Sequence, residues 1–238
     1  MDTRTWILLA FLLVYVLLFI KYCSFLSKDA VSSFNWPKFI ARIAIFGAIS
    51  TILYVVPIFQ VKLIFLPSFL ELHFDEIPAF IAGFAYGPLT AFMVLLIKTL
   101  IKLPFSSTLL VGELSDLIYS TAFVIPASLI YKKMRNMKGV AIGFSVSLVL
   151  QLIVSSLINI YVMLPFYMSL YGMSYDGLLA LCQAANPAIQ NLYGDYVLFV
   201  NLPLNLIKDG IVIAVTFLVY RSIHKLLHFD KPIGTKKA

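Results

Sequence analysis

The sequence is poor in charged residues, cysteine and histidine for a chain of its length. Charged residues make up 12% of the 238 residues, only 11 of them are acidic, and there are two cysteines and three histidines. A soluble domain has about 25% charged and about 45–50% apolar residues, whereas 61% of this chain is hydrophobic. The composition therefore excludes an ordinary soluble domain and predicts an all-α integral membrane protein.

Signatures of catalysis and metal binding are also missing from the sequence. Cys23 and Cys182 lie far apart and outside any CxxC pair, so we expect two small buried apolar residues and no metal site. The chain has no GxSxG, HExxH or phosphate-binding loop motif. The sequence also has no apparent inverted repeat of the kind from which many self-sufficient secondary transporters are built. We therefore expect a binding subunit of a larger assembly: not an enzyme, without a cofactor, and with no nucleic-acid partner.

Seven apolar runs follow one another along the chain. A helix needs about 20 residues to span the hydrocarbon of a bilayer, and all but the third run approach or exceed that length. Gly87-Pro88 separates the third and fourth runs and predicts a tight turn between two helices. No small-x-small cleavage site follows the first run, so we expect it to remain as a membrane helix. The runs cover residues 5–26, 38–59, 77–86, 88–103, 109–131, 139–167 and 194–224.

The distribution of lysine and arginine orients these runs. Residues 132–138 include four basic residues and the tail from Arg221 includes five, whereas residues 168–193 include none. The positive-inside rule predicts that the loop 132–138 and the C-terminal tail are cytoplasmic in a multi-pass protein of a cell membrane. The apolar but interrupted segment 60–76 then lies outside, where we expect it to fold over the mouth of the bundle.

Ionisable residues within the apolar runs are the first candidates for a site. Such residues are costly in a membrane and by default indicate function. By the predicted topology, several of them share the outer half of the bundle, which favours one cavity open to the outside. They are Asp75, Glu76, Lys98, Lys102, Glu113, Asp116 and Lys208.

Structural explanations exist for some of these candidates. Asp75 stands at a predicted helix start, where a carboxylate can cap the backbone. Glu113 and Asp116 stand near another helix start, where they favour the positive end of the helix dipole. Lys102 can extend its ammonium group to the membrane interface. These explanations remain open beside a role in ligand binding.

Lys208 is harder to explain structurally. It lies in the first turns of the last helix, where a cation opposes the dipole, and three residues after Asn205, on the same helix face. We expect an internal partner for its ammonium group, which can be Asp116, Asp209 or a ligand. Asn159 is a further polar residue within an apolar run, and either an interhelical hydrogen bond or a ligand contact would explain it.

Small residues share one face of the second run. Ala41, Ala44, Ala48 and Thr51 are spaced three or four residues apart, with Gly47 beside them. In a membrane, small side chains allow another helix to approach closely. The sequence leaves open whether that helix belongs to this chain or to another subunit.

Several short motifs resemble those of the riboflavin-type S components (RibU family) of energy-coupling factor (ECF) vitamin transporters. The resemblance extends from about Lys38 to Leu227, with the motifs in the same order. They are DEIPAFIAGFAYGPL at 75–89, IK at 97–98, VGEL at 111–114, AFVIPA at 122–127, NIYVMLP at 159–165 and NLIK at 205–208.

The resemblance implies a six-helix membrane domain over residues 31–228 that binds riboflavin or a close analogue near its outer face. The remaining parts are then an extra N-terminal helix (1–30) and a cytoplasmic tail (229–238). The implied contacts to the vitamin are Asn159, Asn205 and Lys208, with Asp75, Lys98, Glu113 and Asp116 as further candidates.

The resemblance also implies partners. Ala44, Gly47 and Ala48 would face EcfT, the membrane coupling subunit, and two cytoplasmic ATPases would drive vitamin release into a prokaryotic cell. Two alternatives remain open: an S component for a different vitamin, and a membrane scaffold whose polar residues only brace helices.

Overall fold

The computed structural model describes residues 35–60, 72–106 and 108–227. The predicted helix at 5–26, the middle of the predicted outer segment 60–76 and the tail 229–238 lie outside this part of the chain. The described residues form helices and loops, which confirms the predicted all-α class. The helices are α1 (Trp36–Val55), α2 (Glu76–Tyr86), α3 (Pro88–Lys102), α4 (Val111–Met134), α5 (Met137–Ile158), α6 (Leu164–Tyr171), α7 (Tyr175–Ala185) and α8 (Leu202–Leu227).

Five helical segments are long and apolar enough to cross a membrane. Two of them include a π-helical turn. Asn159–Met163 connects α5 to α6, and Val197–Asn201 leads into α8. Helix α2 is apolar but has only 11 residues. The five segments are Trp36–Val55, Pro88–Phe105, Val111–Met134, Met137–Tyr171 and Val197–Ser222.

The predicted break between α2 and α3 is confirmed. Gly87 has φ of +102°, a conformation that side chains other than glycine rarely adopt, and Pro88 begins the next helix. A second glycine permits close packing of α2 against α4: a Cβ at Gly83 would lie 2.1 Å from the hydroxyl oxygen of Ser128. These two positions let the short helix α2 fit inside the bundle, where most of its residues are buried.

Helix α7 and the loop after it form a compact structure that the sequence did not predict. The Ser174 hydroxyl caps α7 by accepting a hydrogen bond from the Gly177 amide at 3.2 Å. The Asp195 carboxylate accepts bonds from the amides of Gln190 (2.9 Å) and Asn191 (3.0 Å). These bonds satisfy backbone amides of a loop that has no helix or strand to supply their partners.

Two buried apolar clusters lie at different heights along the bundle. The first, called the aromatic cluster, includes Phe80, Phe84, Phe123, Phe144, Val212 and Tyr220. The second, called the α7-side cluster, includes Met163, Tyr167, Cys182, Tyr196 and Leu204. Cys182 is thus a buried apolar residue, as predicted.

Between these clusters lies a layer of buried polar residues. On α8, Leu204 belongs to one cluster and Val212 to the other, and Asn205, Lys208 and Asp209 lie between them. Helix α5 with its π-helical turn repeats this arrangement, with Gln151 between Phe144 and Met163. A polar layer enclosed by apolar packing is where a ligand could be bound out of contact with water.

Candidate ligand-binding site

Lys98 is the centre of one half of the polar layer. Its ammonium group is fully buried and donates to the carboxylates of Asp75 and Asp116, the latter at 2.7 Å. It also lies 3.3 Å from the Ser120 hydroxyl and 4.5 Å from the centre of the Tyr54 ring. A buried cation is stable only with such partners, so these residues form one fixed unit.

Lys208 forms the second ion pair of the layer. Its ammonium group donates to the Glu76 carboxylate, and Glu76 also accepts from the Ser120 hydroxyl at 3.3 Å. Ser120 therefore links the two lysine centres. The sequence predicted an internal partner for Lys208, but it named Asp116, Asp209 or a ligand. The partner in the structure is Glu76, and Asp116 instead binds Lys98.

Asp75 stands at the predicted helix start but does not cap it. The Asp75 side chain makes no capping hydrogen bond to α2, and its carboxylate accepts from Lys98. The backbone carbonyl of Asp75 accepts from the Ser50 hydroxyl at 2.6 Å, which fixes α1 against the start of α2. The capping explanation for Asp75 is therefore wrong, because the ion pair takes its carboxylate.

A network of asparagine side chains forms the other half of the layer. Asn159 begins one π-helical turn and Asn201 ends the other, and the Asn159 amide donates to the Asn201 side-chain oxygen at 2.9 Å. The Asn205 amide donates to the same oxygen at 2.9 Å, and Gln151 donates to the Asn205 oxygen at 2.7 Å. The π-helical turn is rare and occurs frequently at functional sites.

Asn159 and Asn205 are joined through Asn201, a residue that was not among the predicted candidates. Asn201 lies four residues before Asn205, one turn along the same helix face, and this spacing could have identified it. The Asn159 amide also lies 3.4 Å from the Tyr119 hydroxyl, and Asn201 donates weakly to Ser155 and Ser156 at 3.4 and 3.3 Å.

Glu113 lies apart from both networks. Its carboxylate accepts from the hydroxyls of Ser106 (2.7 Å) and Thr108 (2.9 Å). These bonds hold the loop before α4, in which Leu109 and Leu110 have positive φ. The side-chain hydrogen bonds described for Glu113 are thus with this loop and not with Lys98 or Lys208.

His73 lies at the edge of the ion-pair half. Its ring meets the Tyr54 ring edge-on, with centroids 5.0 Å apart. Burial lowers the pKa of His73 to about 4 because the charged imidazolium loses its hydration. His73 is therefore neutral at physiological pH and adds no charge to the layer. The described residues include no group of three or more His, Cys, Asp or Glu side chains placed to hold a metal ion.

The layer is richer in carboxyl groups than in cations. Its two lysines, Lys98 and Lys208, are already paired within the protein. The amide groups of the asparagine network offer both donors and acceptors without net charge. Such a site is suited to a neutral, polar ligand and is unfavourable for an anion.

Residues 38–220 match the model of the family described as "ECF transporter, substrate-specific component".

The chain is a substrate-specific (S) component of an ECF transporter.

This S component is 33% identical over 189 residues to the riboflavin transporter RibU of Staphylococcus aureus, covering 78% of this chain and 92% of that one. It is 27% identical over 181 residues to the riboflavin transporter FmnP of Bacillus subtilis, covering 75% and 88% of the two chains. It also superposes with a TM-score of 0.62 and 27% identity on a solved S component of a bacterial ECF transporter, covering 81% of this chain and 99% of that one. The family and the apolar spans together make it a membrane protein.

The small-residue face of α1 in this S component divides into two parts. Ala44 and Ala48 are exposed, whereas Gly47 is buried and faces Ile97 of α3, where an added Cβ would lie 3.4 Å from the nearest atom. The predicted triad therefore does not lie on one exposed surface in the described structure. Ala44 and Ala48, together with the exposed side chains of Ile45 and Ile49, form an exposed apolar strip along α1.

Proposed function

We propose that this S component binds riboflavin or a close flavin analogue in the polar layer and delivers it inward with an ATP-driven module. The observation that carries the proposal is the asparagine network of Asn159, Asn201 and Asn205, buried between two apolar clusters. The names of two relatives, both riboflavin transporters, agree with this chemistry.

A flavin has the shape and hydrogen-bonding groups that this layer requires. The isoalloxazine ring is planar, with donors and acceptors along one edge, and the ribityl chain carries hydroxyls. Asparagine side chains supply both donors and acceptors, and Tyr119 and Met163 provide neighbouring walls. When the ligand binds, the asparagine side chains give up some hydrogen bonds to one another and form hydrogen bonds to the ligand. Lys208 lies at one end of this site.

The same charge balance favours free riboflavin over its phosphorylated form. A phosphate would enter a layer in which both lysines are paired and carboxyl groups are in excess. Because like charges in a poorly hydrated site repel strongly, we expect riboflavin 5′-phosphate to bind at least tenfold more weakly.

Riboflavin titration of the purified protein tests the proposal. Binding quenches flavin fluorescence, and co-purified flavin would give the protein a yellow colour. Asn205→Leu should weaken binding by about tenfold or more, because leucine cannot make the hydrogen bonds that the amide group would make to the flavin. The matched control is Thr216→Val, which replaces a buried polar residue about three turns further along α8 and should leave binding unchanged.

A colourless protein that neither quenches riboflavin fluorescence nor is stabilised by riboflavin against heat would refute the flavin proposal. Stabilisation by another vitamin in the same experiment would then indicate an S component for that vitamin. Equal loss of binding in Asn205→Leu and Thr216→Val would mean that the asparagine network has no special role.

We propose further that Ala44 and Ala48 form the docking face for EcfT. Two ATPases would bind EcfT in the cytoplasm of a prokaryotic cell. The C-terminus of the S component would lie on the same, cytoplasmic side. Support comes from the exposed apolar strip on α1, because close helix contact in membranes depends on small residues. The variants Ala44→Trp and Ala48→Trp should bind riboflavin normally and lose uptake. Ala214→Trp, an exposed alanine on α8, is the matched control and should transport normally.

A further inference from the structure

Asp209 differs from the other buried carboxyl groups of the polar layer. Asp75 and Asp116 accept hydrogen bonds from Lys98, and Glu76 accepts from Lys208. Asp209 is fully buried, yet neither of its carboxyl oxygens has a hydrogen-bond partner among the described residues. A buried carboxylate without donors is one of the costliest arrangements in a protein.

The surroundings of Asp209 contain acceptors in excess of donors. Helix α8 packs against α2 and α5, and the charged groups that act on Asp209 are Lys208 and, from α2, Glu76. From α5, Gln151 pairs with Asn205, one turn before Asp209. The Gln151 side-chain oxygen is itself buried without a partner among the described residues.

Ser147 extends this group on α5. Helices α5 and α8 run in opposite directions, since Phe144 and Val212 belong to the aromatic cluster while Met163 and Leu204 belong to the α7-side cluster. One turn from the Gln151–Asn205 pair, Ser147 therefore occupies the same level as Asp209. Its hydroxyl is also buried and unpartnered among the described residues.

The charge balance leaves Asp209 without a cation of its own. The layer has two ammonium groups and four carboxyl groups. Lys98 is shared by Asp75 and Asp116, and the ammonium group of Lys208 donates to Glu76. An ionised Asp209 would place a further negative charge beside Glu76, and burial removes most of the hydration that would stabilise such a charge.

We propose that Asp209 is a proton-binding site: in the folded protein at neutral pH it is a neutral carboxylic acid. The proton removes the uncompensated negative charge of Asp209. It also gives the carboxyl group a hydrogen-bond donor, for which the side-chain oxygen of Gln151 is a nearby acceptor. Ionisable residues in membrane spans commonly carry protons in this way. The proposal does not depend on which ligand the protein binds.

Thermal unfolding as a function of pH, without ligand, tests the proposal in detergent. The side chain of aspartate in an unfolded chain releases its proton near pH 4, so above that pH the folded protein would hold one proton more than the unfolded one. The sign follows from linkage: stability falls as pH rises, by about tenfold in the folding equilibrium constant per pH unit. Asp209→Asn, which is neutral at every pH, lacks this slope.

We therefore expect the melting temperature of Asp209→Asn to exceed that of the natural protein by a margin that grows from pH 5 to pH 8. Asp116→Asn is the matched control: it removes a carboxylate that Lys98 does bind, and it should destabilise the protein by a similar amount throughout. If Asp209→Asn does not fold, Asp209→Ser serves in the same comparison. Infrared spectra provide a second readout, because the carbonyl band of a protonated carboxylic acid should be present at pH 7 and lost in the variant.

Two results would overturn the proposal. A loss of stability in Asp209→Asn that is the same at every pH, with no protonated carboxyl band in the natural protein, would mean that Asp209 is ionised and paired. A melting temperature that rises with sodium at constant ionic strength in the natural protein, and not in Asp209→Asn, would mean that the group binds a metal cation.

Discussion

Replacing Lys208 with methionine would leave the Glu76 carboxylate buried without its cation. The two side chains are 9% and 1% exposed respectively, so water cannot substitute for the lost ammonium group. Removing one partner of a buried ion pair costs about 3–5 kcal/mol. Protonation of Glu76 limits this loss: for a carboxyl group with an ordinary pKa of about 4.3, protonation at pH 7 costs about 3.7 kcal/mol. We therefore expect Lys208→Met to lose about 3–4 kcal/mol.

The double variant Lys208→Met/Glu76→Gln separates the ion pair from the size of the side chains. Glutamine keeps the shape of glutamate and carries no charge, so the double variant should recover most of the stability lost by the single variant. The loss in Lys208→Met should also shrink as pH falls toward 5, because protonating Glu76 then costs less. Thermal and denaturant unfolding in one detergent, without riboflavin, measure both effects.

Riboflavin binding by the double variant then reports on the second role of Lys208. A double variant that is stable and binds riboflavin as tightly as the natural protein would show that Lys208 is only structural. A single variant as stable as the natural protein, or a double variant no more stable than the single one, would refute the reasoning about the buried pair.

Three further predictions concern other parts of the structure. Asn201→Leu should weaken riboflavin binding about as much as Asn205→Leu, by tenfold or more, since Asn201 joins Asn159 to Asn205; unchanged affinity in a titration would exclude Asn201 from the site. Gly83→Ala should lower the melting temperature because its Cβ would clash with Ser128, and Gly83→Val, which adds two methyl groups at the same place, should lower it further; an alanine variant as stable as the natural protein would contradict the packing argument. Glu113→Gln should expose the loop 106–110 to proteolysis and leave riboflavin affinity unchanged, because its contacts are with that loop.

Sequence analysis predicted the local features of the fold well because local signals determine them. The break at Gly87-Pro88 depends on two adjacent residues. The positions of the membrane helices follow from runs of apolar residues, which are visible without knowledge of packing. Helix α7 was missed because its apolar face is short and lies in a connection long enough to be interpreted as a loop.

The pairing within the polar layer could not be predicted from these signals. Lys208 and Glu76 are 132 residues apart in the chain, and periodicity relates only residues on the same helix. Most of the candidates nevertheless lie in the polar layer, because a polar residue in an apolar span needs a partner; their contacts to a ligand stay a prediction. Gln151, a polar residue within the 139–167 run, met this criterion and was overlooked.

The aromatic cluster has a consequence for the electrical behaviour of the membrane. Phe80 and Phe123 have ring centroids 4.8 Å apart, Phe84 and Tyr131 have centroids 5.0 Å apart, and the Tyr220 hydroxyl donates to the Tyr131 hydroxyl at 2.9 Å. Packing this dense leaves neither space nor hydrogen-bond partners for a file of water molecules. Within the described residues, this end of the bundle therefore offers protons and ions no file of water molecules along which to cross.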